Sequence, residues 1–344
     1  VIDELTELKS KYADARRTRI IQLKEGEKAS QLLTQTDVMP LENFWVEINA
    51  EGFISRTEDD KPNRLGGENA PWSILRTNSH QTLFLVTPEG QAAAIHMLSI
   101  PVQRGEEPTT PVHKLSPLSE DEVVQAAFAI PIEKNDIGER YVLTVTRQGM
   151  VKKSLVTELP GASANRFTLV KVNEGDELFR VLLTDGKKEV LLTTAKGMSI
   201  RFSETDVRPM GLLAAGVNGI KLKEGDYVVG ASLIEAGNEV GLVTNQGWAK
   251  RIKAEEFPQQ GRYGQGVISW KLKGEDSIVV QLCGKLTDRG VCHFRKSASK
   301  VFTLTNAVER TRQANGQILF KLKPDDELIG FTCLDDFSSY WEKA

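Results

Sequence analysis

The chain is poor in the residues from which reactive centres are usually assembled. Its 344 residues include three cysteines, four histidines and five tyrosines. Cys283, Cys292 and Cys333 form no CxxC pair and have no histidine at zinc spacing. That argues against a zinc site or disulfide framework and for apolar packing in a reducing compartment. His80, His96, His113 and His293 are scattered and read as structural or surface groups. Tyr12, Tyr141, Tyr227 and Tyr340 lack the arginine-rich neighbourhood that would mark a nucleophile, and only Tyr263 follows an arginine, Arg262. No GxxxxGK[ST], GxSxG or HExxH occurs, so a phosphate loop, a nucleophile elbow and a zincin helix are all missing. Apolar runs stay well short of the ~18 residues of a membrane helix, and no signal-peptide pattern is present at the start. The expectation is a noncatalytic cytoplasmic protein with no cofactor and no metal.

Long helical periodicity is also scarce. Val1, Ile2, Leu5, Leu8 and Tyr12 step by three and four, with acids early and Arg16, Arg17 and Arg19 late, which predicts one amphipathic helix over residues 2 to about 14. A polar linker runs to about Gln35, giving a boundary between residues 1–35 and 36–344. Beyond Val38 the chain shows short Val, Ile, Leu and Phe runs broken by Gly, Asn, Asp and Pro, the pattern of antiparallel strands. Net charge is −3, yet residues 1–140 carry 15 lysines and arginines against 23 acids and the remainder 29 against 24. Such segregation suits a basic surface on one side of the fold.

What is abundant is repetition. "VKVNEGDELF" from Val170, "IKLKEGDYVV" from Ile220, "WKLKGEDSIV" from Trp270 and "FKLKPDDELI" from Phe320 start fifty residues apart and place Asp176, Asp226, Asp276 and Asp326 in register. Gly216, Gly266 and Gly316 recur ten residues before the acidic position, and Gly197 and Gly247 stand nineteen before the first two of these. Drifted copies surround Gly52, Gly90 and Gly149, and Ser297 replaces the turn glycine in the last copy. Each unit reads as four short strands, which is one propeller-type blade, and six units run from about Leu41 to about Asp335. The aspartates read as acceptors for turn amides. A ring of six blades leaves few free sheet edges.

Cations recur beside the first turn and the loop of each unit: Lys152, Lys153, Arg201, Arg208, Lys250, Arg251, Lys253, Arg262, Arg295, Lys296, Lys300, Arg310 and Arg312. Aligned on one rim, they form a track for a phosphate backbone. The stretch "NQGWAKRIKAEEFPQQGRYGQGVISWKLKGEDSIVV" resembles the repeat of the C-terminal domain of the DNA gyrase A protein, and "DELTELKSKYADARRTRI" resembles the helix that ends its breakage-reunion core. The resemblance implies an all-β, six-bladed β-pinwheel with a short N-terminal helix, whose blades exchange strands and whose basic edge wraps double-stranded DNA. It also implies partners in the ATPase subunit of the enzyme and the remainder of gyrase A, no membrane, an isolated domain that is monomeric, and a nucleoid-associated role in an ATP-dependent type IIA topoisomerase.

The family's seven-residue box QRRGGKG corresponds to "NRLGGEN", where Arg64, Gly66 and Gly67 match and Asn63, Leu65, Glu68 and Asn69 depart. The loop "QGRYGQG" keeps Gln260, Arg262, Gly264 and Gly266. The departures leave a topoisomerase IV C-terminal domain as an alternative, with a protein-interaction propeller as another. A disc of this size offers on the order of 40 base pairs of contour, and bending them through a half-turn costs roughly 10 kcal/mol, within reach of about six to ten phosphate contacts.

Overall fold

In each unit a tight hairpin brings two strands together, and in blades one to five its turn contains a glycine at positive φ. In the hairpin of Glu189–Thr194 with Met198–Ser203, Gly197 has φ +83°, and a Cβ there would lie 2.3 Å from the Trp270 carbonyl oxygen of a neighbouring segment. The computed structural model describes residues 39–342 apart from 106, 107, 109, 135, 136 and 164, together with residues 2, 4, 6 and 36. The chain divides into units Val1–Pro40 and Leu41–Ala344. In the first, Ile2, Glu4 and Thr6 are helical, and the rest of the expected helix lies outside the described residues.

The second unit is built of antiparallel sheets whose strands come from neighbouring repeats. Blade four contains Val228–Ile234, Glu189–Thr194 and Met198–Ser203, and its outer strand, Val267–Ile268, comes from the next repeat. Blade five contains Ile278–Gly284, Glu239–Thr244 and Trp248–Lys253, with Gln317–Ile318 added outside. Blade three (Leu178–Thr184, Tyr141–Thr146, Met150–Leu155) takes Val217–Asn218, and blade two (Ala126–Pro131, Gln81–Val86, Gln91–His96) takes Phe167–Thr168. Blade one (Ser73–Asn78, Asn43–Ile48, Phe53–Arg56) takes Thr110–Pro111. Blade six has three strands, Leu328–Asp336, Arg289–Phe294 and Lys300–Thr303. The expected strand exchange is present, but "VISWKLK" supplies only the two-residue strand Val267–Ile268. Its remainder crosses to the inner strand of its own blade.

The inner strands pack on one another in blade order, and the last meets the first. Leu334, Asp335 and Asp336 pair in parallel with Ile74, Leu75 and Arg76, which fuses blades six and one into one seven-stranded sheet. Outside, Gly67 and Ser299 exchange both backbone hydrogen bonds at 2.9 Å, filling the place of blade six's missing outer strand. Arg76 is ion-paired with Asp60 and Asp336, and Arg180 of blade three reaches Asp335 of blade six at 2.9 Å. The short helix Phe337–Glu342 follows, and the Trp341 indole N–H donates to the Ala129 carbonyl at 2.9 Å. Closing the ring buries edges that would otherwise template aggregation.

The repeated acids sit in equivalent turns. The amides of Asp176, Asp226, Asp276 and Asp326 each donate to the carbonyl three residues back. The Oδ1 atoms of Asp176, Asp226 and Asp326 each accept two amides, one from their own turn and one from the hairpin turn of the same blade, from Gln148, Lys196 and Lys296. In blade five, Asn245 takes over this bridge, accepting from the Ser277 amide at 3.0 Å.

Candidate nucleic-acid interface

The third strands of blades three, four and five carry Lys152-Lys153, Ile200-Arg201 and Lys250-Arg251 at equivalent positions, and period two sends the two members of each to opposite faces. Lys250 is fully buried, with its Nζ donating to the carbonyls of Arg312 at 2.6 Å and Ala314 at 2.9 Å and lying 4.8 Å from the Trp270 ring centroid. Lys152, at the equivalent position, is buried and donates to Leu169 and Leu212 at 2.6 and 2.7 Å. The third equivalent is Ile200, also buried. Burial pulls both ammonium groups down to about 8.

The neighbouring position is structural as well. Lys153 is buried and donates to the Glu204 carbonyl at 2.9 Å. Arg201 pairs with Glu189 and reaches the carbonyls of Ala254 and Phe257, while Arg251 pairs with Glu239 and Glu309 and reaches the Ala307 carbonyl. These five cations tie blades three, four and five to the loop of the blade that follows. Lys152, Lys153 and Lys250 do not lie on the expected rim, because their long stems turn the ammonium groups inward to carbonyls that would otherwise lack donors, while Arg201 and Arg251 are partly exposed and held by carboxylates and carbonyls.

Other predicted cations are at the surface. Arg64, Arg208, Lys253, Arg295, Lys296, Lys300 and Arg310 are exposed, with Lys253 paired to Glu309, Arg295 to Glu327 and Lys296 to Asp325. Arg262 and Arg312 are half-buried in equivalent loops. Each guanidinium is held by a carbonyl of the outer strand it crosses, Asn218 at 2.6 Å and Ile268 at 3.1 Å.

A further set lies outside the predicted site residues, although the alternation of Lys221 and Lys223 with Ile220 and Leu222 already sets those two lysines on one face in the sequence. The turn carbonyls of Gly52, Gly90, Gly149, Gly197 and Gly247 accept amides from Val112, Leu169, Gly219, Ser269 and Leu319. Two residues beyond each stands an exposed lysine: Lys114, Lys171, Lys221, Lys271 and Lys321. Lys223, Lys273 and Lys323 add a second exposed cation in three units. The shared signal is an apolar residue or histidine, lysine, then an apolar residue, and in "VHKL" the unit's other landmarks have drifted too far to mark it.

In the blade-one loop, Leu65 is buried among Ala70, Ile74 and Val291, while Arg64, Glu68 and Asn69 are exposed. Gly67 has φ +116°, and a Cβ on Gly66 would lie 3.1 Å from the Ser299 carbonyl oxygen. Asn63 donates from its amide and side chain to the Glu47 carboxylate, both at 3.2 Å, and to Gln103 at 2.9 Å. Burial pushes Glu47 above the usual carboxylate range against those two bonds. The loop is thus fixed from three sides.

Glu204 is fully buried, accepts from the Thr184 hydroxyl and the Lys188 amide, and has no donor for Oε2. Burial raises its carboxyl. A folded-state value above the unfolded one means that stability present at low pH is lost as pH rises through the raised value. Glu204→Gln should therefore be more stable than the parent at pH 7 by about 1 kcal/mol, with the gap shrinking towards pH 4. Thermal melts across that range check this, and a gap that widens on acidification would contradict it.

The sequence matches the family described as DNA gyrase C-terminal domain, beta-propeller, over residues 140–185, 188–235, 239–280 and 300–335, which are repeats of blades three to six. It is 30% identical over 230 residues to the DNA gyrase A protein of Halalkalibacterium halodurans, covering 63% of this chain and 26% of that one. It is 31% identical over 221 residues to the same protein of Streptococcus pyogenes serotype M1, covering 61% and 26%. The chain spans about a quarter of the length of these curated relatives. Among solved structures, the C-terminal domain of DNA topoisomerase IV superposes with TM-score 0.72 at 26% identity, covering 85% of this chain and 93% of that one. A DNA gyrase A C-terminal domain superposes with TM-score 0.66 at 21% identity, covering 85% and 100%, a likeness of fold. With its repeats matched across half of its length and its strand-exchanged blades closed into a ring, the chain belongs to the DNA gyrase C-terminal domain family of β-propellers.

Proposed function

We propose that this chain binds and bends duplex DNA along its basic edge, as a noncatalytic domain of the gyrase A protein. The observation that carries the reading is the recurrence of exposed lysines at equivalent positions, Lys114, Lys171, Lys221, Lys271 and Lys321, joined on the loops by the exposed Arg208 and Arg310 and by the half-buried Arg262 and Arg312, of which the last two are equivalent. Equivalent positions in a ring fall on one arc, and an arc of cations matches the curvature of a bent phosphate backbone. In residues 41–140 the exposed cations among the described residues are Lys61, Arg64, Arg104 and Lys114, outnumbered by exposed acids including Glu42, Glu51, Glu58, Asp59, Asp60 and Glu68. The track is therefore richest on blades three to six, and a partial arc follows.

In the full enzyme the bent segment is presented to the strand-passage core, and the partners are the ATPase subunit of the enzyme and the rest of gyrase A, in the cytoplasm at the nucleoid. Residues 1–35 connect to that core and residues 36–344 form the DNA-binding domain. Catalysis by the type IIA topoisomerase resides elsewhere in the assembly. A topoisomerase IV domain is the second reading, favoured by the departures in residues 63–69, where Leu65 is a core residue and Glu68 repels phosphate. Binding of a duplex longer than ~100 base pairs, compared with one of ~20, tests the proposal. A wrapping surface gains steeply with length and loses affinity linearly in log salt. Equal affinity per site for both lengths would favour a protein-interaction propeller.

A further inference from the structure

The loops that cross the outer strands end in exposed apolar tips. Leu213 is 75% exposed and Tyr263 50% exposed, at the same position of successive repeats. The residue before each is directed inward: Leu212 packs against the core, and Arg262 is tied to the Asn218 carbonyl. The tips are held by backbone bonds. The Tyr263 amide donates to the Gly219 carbonyl at 2.8 Å, and Ala214 and Gly264 accept the amides of Lys171 and Lys221 at 3.2 and 2.9 Å. Each apolar tip thus stands beside one lysine of the exposed series. Tyr263 has φ +66°, a left-handed conformation that an L side chain adopts at a cost. Ile268 and Ile318, at equivalent places on outer strands, are 48% and 51% exposed.

A single exposed apolar residue is ordinary. Here an apolar side chain stands at one ring position of two successive repeats, on a fixed backbone, beside an exposed lysine. The ligand that fits such an edge alternates anionic phosphate with apolar sugar and base edges, and duplex DNA does so in its minor groove. We propose that Leu213 and Tyr263 insert into the minor groove of the duplex held on this edge and loosen base stacking there, so that the bend is made by local wedges as well as by charge neutralisation. This rests on the DNA-bending reading above.

The test uses the whole chain and a ~40-base-pair duplex labelled at both ends and carrying 2-aminopurine at several TA steps. Both tips are exposed, so Leu213→Ser with Tyr263→Gly should keep the melting temperature, and glycine suits φ +66°. The double variant should bind about tenfold more weakly, with an unchanged slope of log affinity against log salt, a smaller bend and less 2-aminopurine brightening. Lys171→Ala with Lys221→Ala should instead flatten the slope by about two units. Parent-like affinity and bend in the tip variant would overturn the insertion while leaving DNA binding intact. A parent chain that fails to bind the duplex at low salt would overturn the DNA reading itself.

Discussion

Lys250→Ala is expected to destabilise the fold by about 3 kcal/mol, lowering Tm by roughly 5 °C or more. The stem is fully buried, so truncation opens a cavity under the Trp270 ring. It also strips donors from the Arg312 and Ala314 carbonyls in the loop of blade six. Burial holds the ammonium at about 8, below the ordinary lysine value near 10.4. Folding then sheds a proton between those values, so the parent should gain stability over that window as pH rises, a gain the alanine variant lacks. Melts at pH 7 and 9.5 measure both effects. A variant with parental Tm whose DNA affinity has a flattened salt slope would place Lys250 on the surface.

Leu65→Arg should be as damaging, costing about 3 to 5 kcal/mol, because it drives a guanidinium into the cluster of Ala70, Ile74 and Val291 at the seam of blades one and six. Glu68→Lys with Asn69→Gly changes two exposed residues of the same loop and should leave Tm near the parent's. It replaces a repelling charge with an attracting one and should tighten duplex binding several-fold at moderate salt. Denaturant titration beside fluorescence binding separates the two. If Leu65→Arg folds normally and tightens binding, Leu65 faces the duplex and not the core.

The fold was legible where the repeat is strict. The fifty-residue beat locates the blades, and Asp176, Asp226 and Asp326 each bridge two turns as acceptors, since amides left by a tight turn need one. Strand lending was legible only through the family resemblance, because the lent strands are two residues long and carry no periodicity of their own. Ring closure rests on the parallel pairing of residues 334–336 with 74–76, a contact between distant segments that no local pattern announces. The site was harder to read. Alternation tells which face a lysine takes, but Lys152 and Lys250 reach carbonyls on the loop of the following blade, and only the packed structure brings those together. Lys114 went unnoticed because its repeat has lost the glycine and acid that mark the others.

The most direct measurement is fluorescence transfer between the ends of a ~40-base-pair duplex as the parent chain is added at low salt and then displaced by raising it. Bending on the cation arc predicts that the ends approach each other on binding and separate again as salt is raised, in parallel with the loss of affinity. Saturable binding with the duplex ends still at their free separation would contradict it.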